Sequence, residues 1–262
     1  MVITMHLYKQ YLSIILKSKM EYKASFFMYS LGVFLSSFSV FAGVFFMFRR
    51  FTNVKGFVYS EVILCYGIFL MGFSLSEMFA RGFDCFPTLI RKGEFDRILL
   101  RPRNVVFQVL ASRFEYSRLG RLLQAAVMLA YGVSKSNIRW SGMKILTAAL
   151  MIFGGMCLFS AIYVMYAAVS FFTLEGLEFI NVFTYGAMEY GKYPFSVYGK
   201  TMLRIVTFII PYALVQYYPL LYLLDREDNA ECAFLPLLAL WFIAPAYGMW
   251  KFGIRHYQSS GS

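Results

Sequence analysis

Ala24-Ser-Phe-Phe-Met-Tyr-Ser-Leu-Gly-Val-Phe-Leu-Ser-Ser-Phe-Ser-Val-Phe-Ala-Gly-Val-Phe-Phe-Met-Phe48 runs for twenty-five residues without an acidic or basic side chain. A helix rises about 1.5 Å per residue, so about 20 apolar residues cross a hydrocarbon core of about 30 Å. This stretch is long enough to do so, and comparable ones recur along the chain. The composition agrees: 60% hydrophobic, 20% aromatic and 15% charged residues, with a mean hydropathy of +0.60, leave too little polar surface for a water-soluble globule. The expected fold is all-α and polytopic, one transmembrane domain over residues 1–258. Ser259-Ser-Gly-Ser262 reads as a tag or linker remnant.

Six crossings are expected, at about 24–48, 57–79, 119–134, 145–174, 205–224 and 233–250. With the amino terminus inside, residues 1–23 carry four Lys/Arg, 80–121 nine, 174–204 three and the carboxyl terminus two, eighteen in all. Seven fall outside: Arg49, Arg50, Lys55, Lys135, Arg139, Lys144 and Arg226. Basic residues in short loops resist translocation, so both termini are expected in the cytoplasm of a cell-membrane protein. Asp225, Glu227, Asp228 and Glu231 make the third outer loop acidic.

Residues 1–23 place Tyr8, Leu12, Ile15 and Leu16 at helical spacing among lysines, the pattern of an interfacial helix. No apolar run followed by a cleavage site is seen there, so no signal peptide is expected. Residues 81–120 form the longest polar region. Val109, Leu110 and Phe114 restore helical character from Val105 onward, an amphipathic lead-in with a joint expected near Gly120. Residues 175–200 alternate Glu175, Glu178 and Glu189 with Leu177, Phe179 and Phe183, which reads as a second inner surface helix closed by Tyr193-Pro194. Pro211, Pro219, Pro236 and Pro245 fall in the last two crossings; each removes a backbone donor, so kinks are expected there.

Much chemistry is excluded. The net charge of +11 is dispersed between apolar segments, which points to lipid head groups and away from nucleic acid. Cys65, Cys85, Cys157 and Cys232 share no loop and form no CxxC, so neither disulfides nor a metal site is implied. His6 and His256 are the two histidines, no Gly-x-Ser-x-Gly occurs, and no catalytic, cofactor or metal site is expected in this chain. Gly186 to Lys192 starts like a phosphate-binding loop, but Tyr193 stands where Ser or Thr should hold magnesium and no strand precedes it. Glu61 and Glu77, near opposite ends of the second crossing, read as end charges reaching the interface. Ser39 and Gly43 form a small-xxx-small pair that could ease helix contact.

Arg91-Lys-Gly-Glu-Phe-Asp-Arg-Ile-Leu-Leu-Arg-Pro-Arg-Asn104 resembles the signature after the second crossing in one branch of the type-2 ABC exporter permeases, and Tyr193-Pro-Phe-Ser-Val-Tyr198 is similar to that branch's second element. The resemblance implies a subunit without its own nucleotide site. It implies a second permease subunit, identical or related, and cytosolic ABC ATPase subunits that bind ATP and Mg and drive export. It also implies a cytoplasmic coupling element between crossings two and three. That role is carried to Arg91, Gly93, Glu94, Phe95 and Asp96: Gly93 permits a tight turn, the carboxylates suit a helix start, and Phe95 is expected to anchor in a partner's groove. The cargo expected is amphiphilic or hydrophobic, a peptide, drug or lipid. A passive channel or lipid scramblase is the alternative. An ion-coupled carrier is third, disfavoured by the lack of mid-membrane carboxylates.

Overall fold

The computed structural model describes the chain apart from residues 1, 22, 52, 174–180, 228 and 260–262, and apart from the side chains of 2–7, 9, 19, 37 and 40. Every regular element among the described residues is helical. α1 (Val2–Met20) and α2 (Lys23–Arg50) lead to α3 (Tyr59–Phe79). Four short helices follow, α4 (Arg81–Asp84), α5 (Phe86–Arg91), α6 (Glu94–Leu99) and α7 (Val105–Ser112), and a 3-10 turn over Tyr116–Arg118 joins them to α8 (Leu119–Lys135). Beyond α9 (Gly142–Val169) come a π-helical turn over Val182–Gly186, α10 (Ala187–Tyr190), a 3-10 turn over Phe195–Tyr198, α11 (Lys200–Phe208), α12 (Tyr212–Val215) and α13 (Tyr217–Leu223). The last apolar stretch, Ala230–Arg255, contains α14 (Leu235–Leu238) and α15 (Ile243–Arg255).

α3 is apolar on all sides and is the axis of the bundle, as a helix hydrophobic all round must be. α8 and α9 pack along it, α2 lies outside α8, and α15 lies against α9. Missing side chains let the backbones close: a Cβ on Gly132 of α8 would stand 2.8 Å from Leu64, and one on Gly72 would stand 3.0 Å from the Ile152 carbonyl of α9. Within the chain the Ser39/Gly43 pair brings no helices together, because a Cβ on Gly43 would meet open space.

Among the described residues, four helices are long and apolar enough to cross a membrane, and five if α11 to α13 count as one broken span. α8 has 17 residues, about 25 Å, short of a full crossing on its own. The joint ahead of it lies at Arg113, in extended conformation, rather than at Gly120, since the 3-10 turn runs straight into α8. α1 exists as a helix and is pinned inward: the Tyr116 hydroxyl donates to the Leu12 carbonyl at 2.8 Å, and Tyr8 packs on Phe107 of α7. Burial and the neighbouring Tyr116 push the Tyr8 hydroxyl up to about 12.

The two ends of α3 organise everything else. At the Glu61 end, Arg226 binds Glu61 at 2.6 Å and Lys144 binds Asp225 at 2.7 Å. At the Glu77 end lie α4 to α7 and the start of α8. Between them the chain after α9 departs from its expected course. Its first part, 174–180 with Glu175, Leu177, Glu178 and Phe179, lies outside the described residues. From Tyr185, which donates to Glu77 at 2.8 Å, it ascends along α3. Gly191 abuts Phe69, the midpoint of α3, and the Ser196 carbonyl accepts from Lys55 at 3.4 Å near the Glu61 end. Residues 182–198 are therefore no surface helix. Ala187, Met188 and Phe195 are buried in the main core because they face α3 instead of solvent.

The stretch expected to cross at 205–224 is broken. α11 and the α12–α13 pair meet at 87°, with Pro211 in the break. The turn reaches mid-height, where the Tyr212 ring lies 6.0 Å from Phe69 and its hydroxyl donates to the Phe183 carbonyl. α13 then climbs back to Asp225 and Arg226. The segment is a hairpin that begins and ends near Glu61. Pro219 stands in the first turn of α13 and Pro236 in that of α14, and Pro245 follows the 3-10 stretch Ala239–Phe242 that interrupts the last span.

Candidate functional site

The Arg91 to Asp96 segment is a helix–turn–helix corner. α5 ends when Gly93 takes φ 65°, a left-handed conformation that a side chain would resist, and its N–H donates to the Ile90 carbonyl at 2.9 Å. Glu94 and Asp96 fall in the first turn of α6. Phe95, expected to project toward a partner, points inward with 0% exposure. Its ring meets Phe86 at 4.9 Å, Tyr257 at 5.0 Å and Phe171 at 5.4 Å, in a second core that includes Trp250 of α15. The correction has a plain cause: on a six-residue helix one face must be buried to hold it, and Phe95 and Ile98 are the apolar pair at i and i+3.

What α6 leaves outside is Arg91, Lys92, Glu94, Arg97, Leu99 and Leu100, with Leu100 84% exposed. Asp96 is half-buried and accepts from the Tyr257 hydroxyl at 2.9 Å and the Ser259 hydroxyl at 2.7 Å. Burial and that bond to Asp96 push the Tyr257 hydroxyl up to about 12. The exit is also fixed, since Gln108 donates from Nε2 to the Ile98 and Arg103 carbonyls at 3.1 Å each. The Arg91 to Leu100 segment is thus clamped to α7, the end of α9 and the residues after α15, while Leu99, Leu100 and the flanking arginines form an outer rim.

Glu77, expected as an end charge reaching the interface, is completely buried. Arg118 stands 3.2 Å away, Arg121 is paired to its other oxygen, Arg81 lies at 3.9 Å, and Tyr185 donates to it. Arg81 also pairs with Asp84, whose carboxyl is held above its ordinary range because burial outweighs the pull of Arg81. One carboxylate thereby joins α3, α4, the start of α8 and the ascending segment. Spacing alone could not reveal this, but the run of Arg118 and Arg121 ahead of an apolar helix is a signal that an acid must meet them.

Above Glu77 lies an open cleft of about 300 Å³ whose lining includes Ser36, Tyr66, Phe73, Arg121, Tyr185 and Glu189. Ser36 is near the middle of α2, and Glu189 and Lys192 flank Gly191 at the midpoint of α3. Glu189 and Lys192 form an ion pair in which the Glu189 side chain is 66% exposed. Among the described residues, no three His, Cys, Asp or Glu side chains are grouped to hold a metal ion.

A sequence model of the family described as ABC-2 family transporter protein matches residues 23–261. No curated protein and no solved structure matches. The chain belongs to that family, and with its apolar helices it is a multi-pass membrane protein, a permease of the ABC-2 type.

Proposed function

From that membership we propose that the chain is the membrane-spanning subunit of an ATP-driven exporter, working with a second permease subunit and with cytosolic ABC ATPases that bind ATP and Mg. The Glu77 end faces the cytosol of a cell membrane. Even after the three basic residues of 174–204 are moved out with the ascending segment, fifteen Lys/Arg remain inside against ten. Both termini are then cytoplasmic and α1 lies in the inner interface. Six passages follow if α8 is completed by its 3-10 turn and residues 182–198 make the fifth. α2, whose apolar side chains are largely exposed, supplies the lipid contact.

The observation that carries the reading is the one-sided clamping of α6. A segment locked to two spanning helices by Phe95, yet presenting Leu99 and Leu100 between Arg97 and Arg101 to the cytosol, is built to take a push from outside and pass it to α9 and α15. The cargo is an amphiphilic or hydrophobic molecule and the path lies between two permease subunits. An exposed carboxylate at mid-height supports this, because it is tolerable only against water or another subunit.

The test is capture of the cognate ATPase by the purified chain. Leu100→Ser should cut capture and stimulated ATP hydrolysis while membrane insertion persists. Undiminished capture would overturn the docking rim. Currents or lipid movement from this chain alone, without nucleotide, would replace the exporter with a channel or scramblase.

A further inference from the structure

At the Glu77 end of the bundle, where Trp250 of α15 packs on Phe83 of α4, α9 and α15 leave a groove of about 420 Å³ lined by Ala168, Val169, Phe172, Gly248, Met249 and Phe252. Two glycines shape it. Gly253 lets the helices close, since a Cβ there would stand 3.1 Å from the Ala168 carbonyl, whereas a Cβ on Gly248 would meet open space. The lining carries no ionisable side chain, but its mouth is charged. Arg255 and His256 lie three and four residues beyond Phe252, one turn further along the same face. The His256 ring packs on both aromatic walls, Phe252 at 4.2 Å and Phe172 at 6.3 Å. Arg255 is exposed and has no acidic partner among the described residues. Lys251 adds a second cation on the flank, over the Tyr247 ring at 4.6 Å. From Gly248 to Arg255 the trough runs about 10 Å, apolar along its length and cationic at its end, which is the polarity that complements a phospholipid.

We propose that this groove holds a resident anionic phospholipid, with one acyl chain along Gly248, Met249 and Phe252 and the phosphate on Arg255. The lipid is a fixture of the subunit and not its cargo: it bridges α9 and α15 beside the core that contains Phe95 and Trp250. Charge selects among lipids. A zwitterionic head group brings its own ammonium up to Arg255 and Lys251, and the described lining offers no acid to receive it, whereas an anionic head group brings the phosphate alone. The inference rests on the proposed topology only in naming the leaflet as the cytoplasmic one. Binding is the same whichever side the Glu77 end faces, so its failure and the failure of ATPase capture are separate results.

The experiment is native mass spectrometry of the full chain in detergent, titrated with phosphatidylglycerol or with phosphatidylcholine of the same acyl chains. Phosphatidylglycerol should be retained preferentially, and inorganic phosphate should not displace it. Arg255→Gln should weaken that adduct roughly fivefold and leave phosphatidylcholine binding unmoved. Gly248→Phe fills the groove where the backbone has room and should remove the adduct. Should Gly248→Phe fail to fold, Arg255→Gln, at an exposed position, still decides. Equal retention of the two lipids, displacement by phosphate, or an adduct that survives both substitutions would overturn the proposal. So would a Gly248→Phe chain that loses a dimer and keeps its lipid, which would make the groove an interface between two copies.

Discussion

Glu61 and Glu77 sit sixteen residues apart on α3, each near one end and each with an arginine partner, yet they do different work. Glu61 accepts from the Val58 N–H at 3.1 Å and from Arg226 at 2.6 Å, and Arg226 keeps a third of its side chain in solvent. Glu77 has no exposed surface and gathers guanidinium groups from α4 and the α8 entrance together with a tyrosine from a distant segment. An exposed pair loses in hydration and side-chain freedom most of what it gains by attraction. A buried one holds its neighbours in place, because removing a partner strands the rest. The position of an acid along a helix says nothing about which of these it is; the number of cations that the rest of the chain brings to it does.

The sharpest way to break this comparison is to ask which end faces which compartment. With an impermeant maleimide in intact cells, Lys55→Cys and Lys200→Cys, in a cysteine-free background, should both react and Lys92→Cys should not. Labelling of position 55 without position 200 would return residues 182–198 to the inner side. Next in size is Glu77→Gln, which leaves Arg118 and Arg121 facing a neutral amide in a buried site. It should cost about 3–5 kcal/mol, seen as a large fall in the thermal unfolding midpoint in detergent, and a loss under about 1 kcal/mol would make the two glutamates equivalent. Phe95→Ala should destabilise the Glu77 end by about 3 kcal/mol through the cavity it opens, so that limited proteolysis of α4 to α7 quickens. Unchanged proteolysis would return Phe95 to the surface.

Two smaller effects sharpen the contrast. Glu61→Gln should cost less than about 1 kcal/mol, since Arg226 keeps the Gly56 carbonyl at 2.9 Å and the Phe57 ring at 4.4 Å. Asp84 tests the sign of burial. Its carboxyl titrates above its unfolded value, so its protonated form favours the fold, and that contribution is lost as pH rises through the raised folded value. Asp84→Asn should therefore leave stability at neutral pH equal or slightly higher, while reducing the rise that the parent shows on mild acidification. A marked fall would mean that its pairing with Arg81 outweighs its burial.

The membrane class, three long helices and the corner at Gly93 are legible in the sequence, because each follows from a local property: an apolar run, or a glycine between two helical stretches. The course of residues 182–198 is not. Glu189, Lys192 and Tyr193 give that segment a polar surface pattern, and only the contacts to Glu77, Phe69 and Lys55 reveal that it climbs through the bundle. Phe95 illustrates the same limit. An aromatic residue between two acids fits a docking anchor as well as a core residue, and the choice depends on Phe86, Phe171 and Tyr257, which are far apart in the chain. Leu100, the more exposed of the two leucines, has nothing in its spacing to set it apart from Leu99.

The hairpin of α11 to α13 carries a consequence for biogenesis. A segment that enters and leaves on one side offers no net translocation, so the insertion machinery has no crossing to drive it home. It is seated instead by what it touches: Tyr212 on the Phe183 carbonyl, Gln216 on the Gly191 carbonyl at 2.8 Å, and Lys144 reaching Asp225 at the far lip. Two of those acceptors belong to the ascending segment, which must already be in place. On the topology proposed above, the hairpin therefore seats after the ascending segment.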